Sequence, residues 1–402
     1  MGVLKGLRVV EFEALGPGPF CGMLLADLGA DVILIGRAGG AATGAVFNRG
    51  KRIISLDLKN PKHVAAGGGW DTTILPTGPP RGGPPPRPGA IGEVRGYAAG
   101  AGRGRGAGPG PADATIEGLR PGVMERLGLG PEVLMAANPR LVYGRITGWG
   151  QTGPLAPIAG HDLNYVSLAG AAWYAGQAGA APAPPPTIAG DIGGGALYLA
   201  IGILSGVLRA RETGKGAVVD AAIVDGAAHM LGLLMSLRAA GGYPDERGRS
   251  MLDGADFYDV YQCADGKWIS IGPLEPKFYA LLIEKLDLAG DARFASQFDA
   301  SQWPARKRRL ADLFAAQPSA HWRALLEGTD VCFAPVLSPI EAREHPHMKA
   351  RAVWREAGGA LQAAAAPRFD GEIPADPRPA DASEAAAEAI LKEAGLTRGD
   401  LG

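Results

Sequence analysis

The side chains best suited to chemistry in this sequence are one histidine and three carboxylates, each set in a short motif. They are His161 and Asp162 in GHDLNY, Asp191 in GDIGGG and Glu275 in EPKFY. An imidazole has an unperturbed pKa close to neutrality, so it can accept and donate protons near pH 7. We therefore predict acid–base chemistry in which His161 and Asp191 are the two proton-transfer groups. Glu275 is expected to orient the histidine or to exchange protons with it.

Each motif stands shortly before a predicted helix, and these helices span residues 162–174, 194–211 and 276–286. A helix N-terminus carries partial positive charge and unpaired N–H groups. It favours a neutral, proton-accepting imidazole and stabilises an enolate oxygen that develops when a proton leaves carbon. The same positions also suit purely structural N-cap residues. Only the combination of the motifs favours a catalytic site over unrelated helix caps.

Short apolar runs alternate with the predicted helices and indicate an α/β chain. Strands are predicted at residues 7–12, 30–35, 52–58, 141–146, 218–222 and 331–337, with a hairpin formed by 256–262 and 267–271. The first strand, a GPGP turn at residues 16–19, a helix over 20–28 and the next strand resemble a Rossmann-like unit. The turn lacks the third glycine of a dinucleotide-binding fingerprint, because Cys21 occupies that position. This disfavours NAD or FAD as a ligand.

Composition excludes several classes of protein. The 402 residues are 47% hydrophobic and 20% charged, with a formal net charge of -1, so there is no basic excess for nucleic-acid binding. The three cysteines form no CxxC pair, and no cluster has the spacing of metal ligands. We see no secretory signal and no uninterrupted apolar stretch that predicts a membrane span. We therefore expect a cytoplasmic protein without a metal.

One segment departs from this pattern. From about residue 67 to 111 the sequence is dominated by glycine, proline, alanine and arginine, as in PPRGGPPP and GAGRGRGAGPG. Such a composition cannot bury enough apolar surface to offset the entropy of ordering the chain. Residues 64–114 are either a disordered insertion or an out-of-frame translation of a GC-rich gene, and we favour the second. Resequencing that finds an uninterrupted frame would exclude a frameshift.

Outside that segment, a series of motifs resembles the alpha-methylacyl-CoA racemases, within the class III CoA-transferase superfamily. The strings LRVVE, GPGPF, DLGADV, TGWGQTGP, GHDLNY, GDIGGG, MLDG, FYDVYQCADGKW and EPKFY occur in the order found in that family. The resemblance implies a racemase that interconverts (2R)- and (2S)-2-methylacyl-CoA thioesters through an enolate, as an isomerase of lipid metabolism. It implies no cofactor, since CoA is part of the substrate.

The resemblance also implies roles for individual residues. His161 and Asp191 match the catalytic pair, and Glu275 matches the glutamate that pairs with the histidine. Residues that match the family's CoA-binding positions are Arg37, Arg49, Lys59, Arg120 and Tyr165. Asp162 matches the nucleophilic carboxylate of the CoA-transferases, so a CoA-transferase remains an alternative. An inactive CoA-binding paralogue is a third.

The implied fold is a class III CoA-transferase fold, with a Rossmann-like large domain and a smaller α/β domain. We expect the large domain at residues 1–188 and 335–402, linker helices at 189–225 and the small domain at 226–334. In this fold two chains interlock as a homodimer. Each active site then lies between the large domain of one chain and the small domain of the other, so Glu275 would come from the second copy.

Overall fold

Six short apolar strands form a parallel sheet. They are β1 (Arg8–Phe12), β2 (Asp31–Gly36), β3 (Arg52–Ser55), β4 (Ala114–Glu117), β5 (Val142–Thr147) and β6 (Ala217–Ala222). Their order is β3-β2-β1-β4-β5-β6, and every neighbouring pair is parallel. Val9, Ile33 and Val142 are fully buried, as expected when both faces of a parallel sheet are covered. This doubly wound order confirms the predicted α/β class and creates a switch point between β1 and β4.

The computed structural model describes residues 2–37, 44–60, 62–66 and 111–401. Most of the segment predicted to be anomalous, 64–114, lies outside these ranges. The described residues divide into unit 1, drawn from 1–169, 186–227 and 354–402, and unit 2, comprising 170–185 and 228–353. Residues 189–225 were expected to be linker helices. They instead belong to unit 1, because they include β6, the strand that pairs with β5.

Helices connect the strands of the parallel sheet, and further helices follow its last strand, β6, along the chain. Those up to the end of β6 are α1 (Pro17–Asp27), α2 (Gly44–Asn48), α3 (Val123–Arg126), α4 (Pro131–Ala137), α5 (Asp162–Leu168) and α6 (Leu197–Thr213), with a π-helix at Ile188–Ala196 before α6. The later ones are α7 (Ile223–Met230), α8 (Gly232–Ala239), α9 (Pro276–Lys285), α10 (Trp303–Ala315), α11 (Ser319–Leu326), α12 (Pro339–Glu344), α13 (Pro346–Ala350), α14 (Glu384–Glu393) and α15 (Arg398–Leu401).

Two helix boundaries differ from the sequence-based expectation. Helix α1 begins at Pro17, inside the supposed GPGP turn, because the first N–H groups of a helix have no intrahelical partner and proline is tolerated there. Helix α5 ends at Leu168, well before residue 174, because Gly170 follows in a left-handed conformation with φ of 83°. His161, the N-cap residue, and Asp162, the first residue, lie at the opposite end of this short helix.

Helix α6 and the preceding π-helix form an apolar stretch, Ile188–Thr213, long enough to cross a membrane by length and composition. Its inward residues, Leu199, Ile203 and Val207, are buried in the core of unit 1. The helix approaches β5 closely, since a Cβ on Gly206 would lie 2.8 Å from Val142 Cγ1. The apolar content of α6 is thus partly explained as that of a core helix.

Unit 2 contains an antiparallel sheet of β7 (Asp259–Gln262), β8 (Trp268–Ile271) and β9 (Phe333–Val336), in that order. The expected hairpin is present, although β7 starts at Asp259 and not at Asp256. Asp256 is completely buried beside Arg306, whose Nε lies 3.3 Å from Asp256 Oδ1. A further antiparallel hairpin in unit 1, β10 (Trp354–Ala357) and β11 (Ala360–Ala363), was not predicted.

A buried ion pair fixes the start of α1 against the sheet. Lys51 Nζ lies 2.8 and 2.7 Å from the two carboxylate oxygens of Glu11, and both side chains are fully buried. Burial raises the pKa of Glu11 to about 7, although the charge of Lys51 opposes the shift. Lys51 Nζ also donates to the carbonyl oxygen of Pro19, at 3.1 Å, in the first turn of α1. The pair therefore positions the helix terminus that follows β1.

We expect Lys51→Met to lower the free energy of unfolding by ~3–5 kcal/mol, because the Glu11 carboxylate would remain buried without its counter-charge. Urea unfolding followed by circular dichroism measures this change, with the exposed Lys59→Met as the matched control. The double variant Glu11→Leu/Lys51→Met should regain at least half of the loss, since no charge is left buried. A double variant no more stable than the single one would contradict this account.

Candidate active site

The loop between β5 and α5 is held by one aromatic side chain. Tyr165 donates a hydrogen bond from its hydroxyl to the carbonyl oxygen of Gly160, near the end of the loop. Its ring packs edge-on against Trp149, with ring centroids 4.7 Å apart. A Cβ on Gly148 would overlap the Tyr165 ring, and one on Gly160 would lie 2.8 Å from it. The glycines of this loop thus allow the close packing that fixes the residue before His161.

His161 stands at the N-cap of α5, immediately beyond this loop. Its backbone is extended, its N–H donates to Asn164 Oδ1 at 3.1 Å, and its carbonyl accepts the first helical hydrogen bonds, from Asn164 and Tyr165. The residue is exposed. His161 is therefore held by its backbone, while the residue itself remains accessible to solvent.

Asp162 joins α5 to the π-helix. Its Oδ1 accepts the N–H of Asp191 at 2.8 Å, and its Oδ2 accepts the N–H of Thr187 at 3.1 Å. A Cβ on Gly190 would collide with Asp162 Oδ1, which explains the glycine before Asp191. The carboxylate of Asp162 thus caps a neighbouring helix and brings the GHDLNY and GDIGGG motifs together.

The π-helix Ile188–Ala196 presents Asp191 from a wide, glycine-rich turn. Thr187 precedes it in the left-handed region with φ of 61°, and the N–H of Ile192 reaches back to the Thr187 carbonyl over five residues. A non-glycine residue in this conformation is strained by ~1 kcal/mol or more, and such strain is concentrated at functional sites. The Thr187 N–H bond to Asp162 compensates for that strain locally.

The carboxyl group of Asp191 is electrostatically unusual. Burial and the negative charge of Asp162 raise its pKa to about 6, and the charge of His161 opposes the shift. Asp191 Oδ2 also lies near the N-terminus of α1, since a Cβ on Gly16 would be 3.5 Å from it. A carboxyl group with a pKa near neutrality can serve as an acid or as a base at physiological pH.

Glu275 belongs to unit 2, whereas His161, Asp162 and Asp191 come together within unit 1. Glu275 is the N-cap residue of α9, with an extended backbone, no side-chain cap bond and an exposed position. The Cys332 thiol lies close enough to Glu275 to be affected by its charge. Partial burial, the larger cause, and the negative charge of Glu275 both raise the pKa of this thiol. Cys332 was not singled out by the sequence.

Two residues expected to contact CoA have structural partners instead. Arg49 is buried, and its guanidinium donates to both oxygens of Asp27, at 3.0 and 2.5 Å, to Gln362 Oε1 and to the Ala363 carbonyl. Tyr165 is 8% exposed, and its hydroxyl donates a hydrogen bond to the Gly160 carbonyl oxygen. These bonds occupy the Tyr165 hydroxyl and most of the Arg49 donors, and the CoA contact expected of each side chain stays a prediction.

The other three expected CoA contacts have exposed positions. Arg37 follows β2, and its backbone N–H donates to Glu13 Oε2 at 2.8 Å. Lys59 follows β3, with its backbone N–H bonded to Asp57, and Arg120 lies in the loop after β4. All three stand beyond the carboxyl ends of strands of the parallel sheet, the edge at which open α/β sheets bind their ligands, and Arg120 follows β4, which flanks the switch point.

Sequence reasoning missed a second buried ion cluster, which lies at the carboxyl edge of the parallel sheet. Arg145 on β5 bonds Glu117 at the end of β4 and Glu125 in α3. A charged residue inside an otherwise apolar strand, as in TIEG and VYGRIT, was the available signal. Within the described ranges, no group of three or more His, Cys, Asp or Glu residues could hold a metal ion.

The sequence and the fold are similar to those of known proteins. The sequence is 39% identical over 352 residues to the alpha-methylacyl-CoA racemase of Mus musculus, covering 87% of this chain and 82% of that protein. It is 37% identical to the Homo sapiens racemase of the same name, covering 87% and 81%. The crystal structure of a CAIB/BAIF family protein from Brucella suis superposes with a TM-score of 0.76 and 26% identity, covering 98% of this chain and 99% of that one.

The sequence profile of CoA-transferase family III matches residues 4–66 and 110–382. The gap between the two matched ranges falls within the glycine- and proline-rich segment. The motifs, the parallel sheet and the profile all agree: the chain belongs to CoA-transferase family III.

Proposed function

We propose that this protein is a 2-methylacyl-CoA racemase, which interconverts (2R)- and (2S)-2-methylacyl-CoA thioesters. The observation that carries the proposal is the arrangement of His161 and Asp191. The charge of His161 acts on the Asp191 carboxyl group, and Asp162, the residue after His161, accepts the backbone N–H of Asp191. Reversible inversion of the α-carbon needs one group on each face, and the two work best in both directions when their acidities are similar. The pKa of Asp191, raised to about 6, brings this carboxyl group close to the usual range of an imidazole.

In the proposed reaction, neutral His161 takes the α-proton of one enantiomer and the thioester becomes an enolate. Protonated Asp191 then delivers a proton to the opposite face of the same carbon. The reverse reaction begins with the Asp191 carboxylate and the imidazolium of His161. Asp191 takes the α-proton and the imidazolium returns a proton to the opposite face, which restores protonated Asp191 and neutral His161. Protons balance in both directions, so the chemistry requires no metal, flavin or pyridoxal phosphate. Glu275 is proposed to orient His161 or to exchange protons with it.

The alternative, a CoA-transferase, would use Asp162 as the nucleophile that forms an anhydride. Both oxygens of Asp162 accept backbone N–H groups, from Thr187 and Asp191. These bonds stabilise the negative charge and reduce the nucleophilicity of the carboxylate, and an attack would break the link to Asp191. This arrangement favours the racemase. An inactive CoA-binding paralogue would bind CoA without proton exchange or transfer.

We propose that the nucleotide end of the acyl-CoA contacts Arg37, Lys59 and Arg120, all exposed beyond the carboxyl ends of β2, β3 and β4. Guanidinium groups bind phosphate through paired, charge-assisted hydrogen bonds. We propose further that the protein acts in the cytoplasm, without a nucleic-acid or membrane partner.

We also propose a homodimer in which a second copy supplies Glu275. Supporting it, α6 carries an outward apolar row of Leu197, Ile201 and Leu208, which are 40%, 60% and 68% exposed. These residues are spaced to lie on one helix face. Such an exposed apolar row, on a helix whose opposite face is buried in the core, is typical of a surface that is covered by another chain.

We expect His161→Ala to reduce α-proton exchange from deuterated water into 2-methylacyl-CoA by ~10²-fold or more, through loss of a general base. Mass spectrometry of the recovered thioester measures the exchange, and chiral analysis measures racemisation. Asp191→Asn should impair racemisation comparably, whereas the exposed His347→Ala should not. Unchanged exchange in His161→Ala would remove this histidine from the mechanism.

Asp162→Asn separates the racemase from the transferase. In a racemase it removes the negative charge that raises the pKa of Asp191, so the limb of the pH–rate profile due to Asp191 moves to lower pH. The rate also falls, because one backbone N–H loses its acceptor at a cost of ~1–3 kcal/mol. The exposed Asp312→Asn should change neither. CoA transfer between acids, with an anhydride at Asp162 trapped by hydroxylamine, would establish the transferase instead.

The dimer is expected to be required for activity. Sedimentation velocity at the assay concentration should show a species of twice the chain mass, and Ile201→Glu on α6 should weaken both association and racemisation. Glu212→Gln, at the end of the same helix, is the control. A folded monomer with full activity would refute the shared active site.

A further inference from the structure

We propose that Arg145 is a positioning residue for the nucleotide end of the substrate. It holds the loop Gly118–Gly122, and with it Arg120, at the carboxyl edge of the sheet. The inference rests on the proposed binding of acyl-CoA, and it assigns to a buried ion cluster a role in affinity and not in proton transfer.

Arg145 bridges the two elements on either side of this loop. Its Nε donates to Glu117 Oε1 at 2.8 Å, and its Nη1 and Nη2 donate to Glu125 Oε1 and Oε2 at 2.7 and 3.3 Å. Glu117 is the last residue of β4, and Glu125 lies in α3. The Arg145 side chain is 7% exposed and that of Glu117 is completely buried. A single guanidinium therefore fixes both ends of the loop.

The loop has little remaining freedom between these two ends. Glu117 Oε2 accepts the N–H of Leu119 at 2.7 Å, and the Arg120 carbonyl accepts the N–H of Val123 at 3.1 Å. Gly122 turns the chain into α3 with φ of 81°. Arg120 itself is exposed at the centre of the loop. The position of the Arg120 backbone, from which its side chain extends, thus depends on contacts that Arg145 maintains.

The charges explain why an arginine is needed at this position. Burial raises the pKa of Glu117, while its bonds to the Leu119 N–H and to Arg145 act in the opposite direction. Arginine can serve two carboxylates at once because its donors form a rigid planar fork, whereas the ammonium group of lysine is a single point. A lysine at this position would keep the charge but could bond only one end of the loop firmly. The exchange Arg145→Lys thus tests the bridge without leaving Glu117 uncompensated.

A role in positioning differs from a role in stability in what it changes. If Arg145 acts through Arg120, its loss weakens only those ligands that carry the nucleotide and its phosphates. If it merely stabilises unit 1, every ligand and every rate suffers equally. The same thioester carried on CoA or on pantetheine, which lacks the nucleotide, distinguishes the two.

We expect Arg145→Lys to raise the KM for 2-methylacyl-CoA about tenfold, equivalent to ~1.4 kcal/mol of binding, while kcat changes less than twofold. The KM for the 2-methylacyl-pantetheine thioester should be unchanged. Arg126→Lys, the same exchange at an exposed position in α3, is the matched control and should alter neither KM. A second variant, Glu125→Gln, weakens the bridge at its exposed end and should raise the KM for the CoA thioester about threefold. It keeps the proposal testable if Arg145→Lys fails to fold.

The test is completed by a third variant, Arg120→Ala, and by calorimetry. Calorimetry measures the affinity of each variant for free CoA and for pantetheine. If Arg120→Ala leaves CoA affinity unchanged, the proposed CoA contact fails, and the role of Arg145 fails with it. If Arg120→Ala weakens CoA binding but Arg145→Lys and Glu125→Gln do not, the contact stands and the positioning role is overturned. An equal loss for CoA and pantetheine also overturns it. Because calorimetry needs no turnover, these results are independent of whether the protein is a racemase.

Discussion

The site depends on one carboxylate, that of Asp162, which accepts the backbone N–H groups of Thr187 and Asp191. It connects two segments that are far apart in the chain and brings a histidine and a carboxyl group into one electrostatic environment. The same negative charge, together with burial, raises the pKa of Asp191 to about 6. Asp162 thus contributes both to the placement of Asp191 and to its raised pKa, and Asp191 is the second group in the proposed proton transfer.

Buried charges at the carboxyl edge of the sheet serve a similar purpose for the surrounding loops. Lys51 joins Glu11 to the first turn of α1, and Arg145 joins β4 to α3. A buried ion pair is a weak source of stability, because desolvation offsets most of the attraction. Its value in this fold is geometrical, since each pair fixes a connection that follows a strand. The loops beside the switch point are thereby held in place without help from a ligand.

Glycines complete the arrangement by allowing atoms to approach where a side chain would collide. Gly148 admits the ring of Tyr165, and Gly190 admits the carboxylate of Asp162. Internal bonds also bear on two residues whose roles were transferred by motif alone. Tyr165 and Arg49 occupy positions expected to bind CoA, yet their polar atoms are bonded inside the protein. A motif preserves residue types, whereas the availability of a donor depends on its neighbours in space.

The sequence by itself determined the α/β class, the first Rossmann-like unit and the motifs that identify the family, because apolar periodicity and local turn chemistry are written in neighbouring residues. It also singled out His161, Asp191 and Glu275. Only the tertiary structure decided that Asp162 caps the π-helix, that residues 189–225 belong to unit 1 and that Arg145 bridges two carboxylates. These features rest on contacts between residues distant in sequence, and burial and partner choice are not encoded in any single segment.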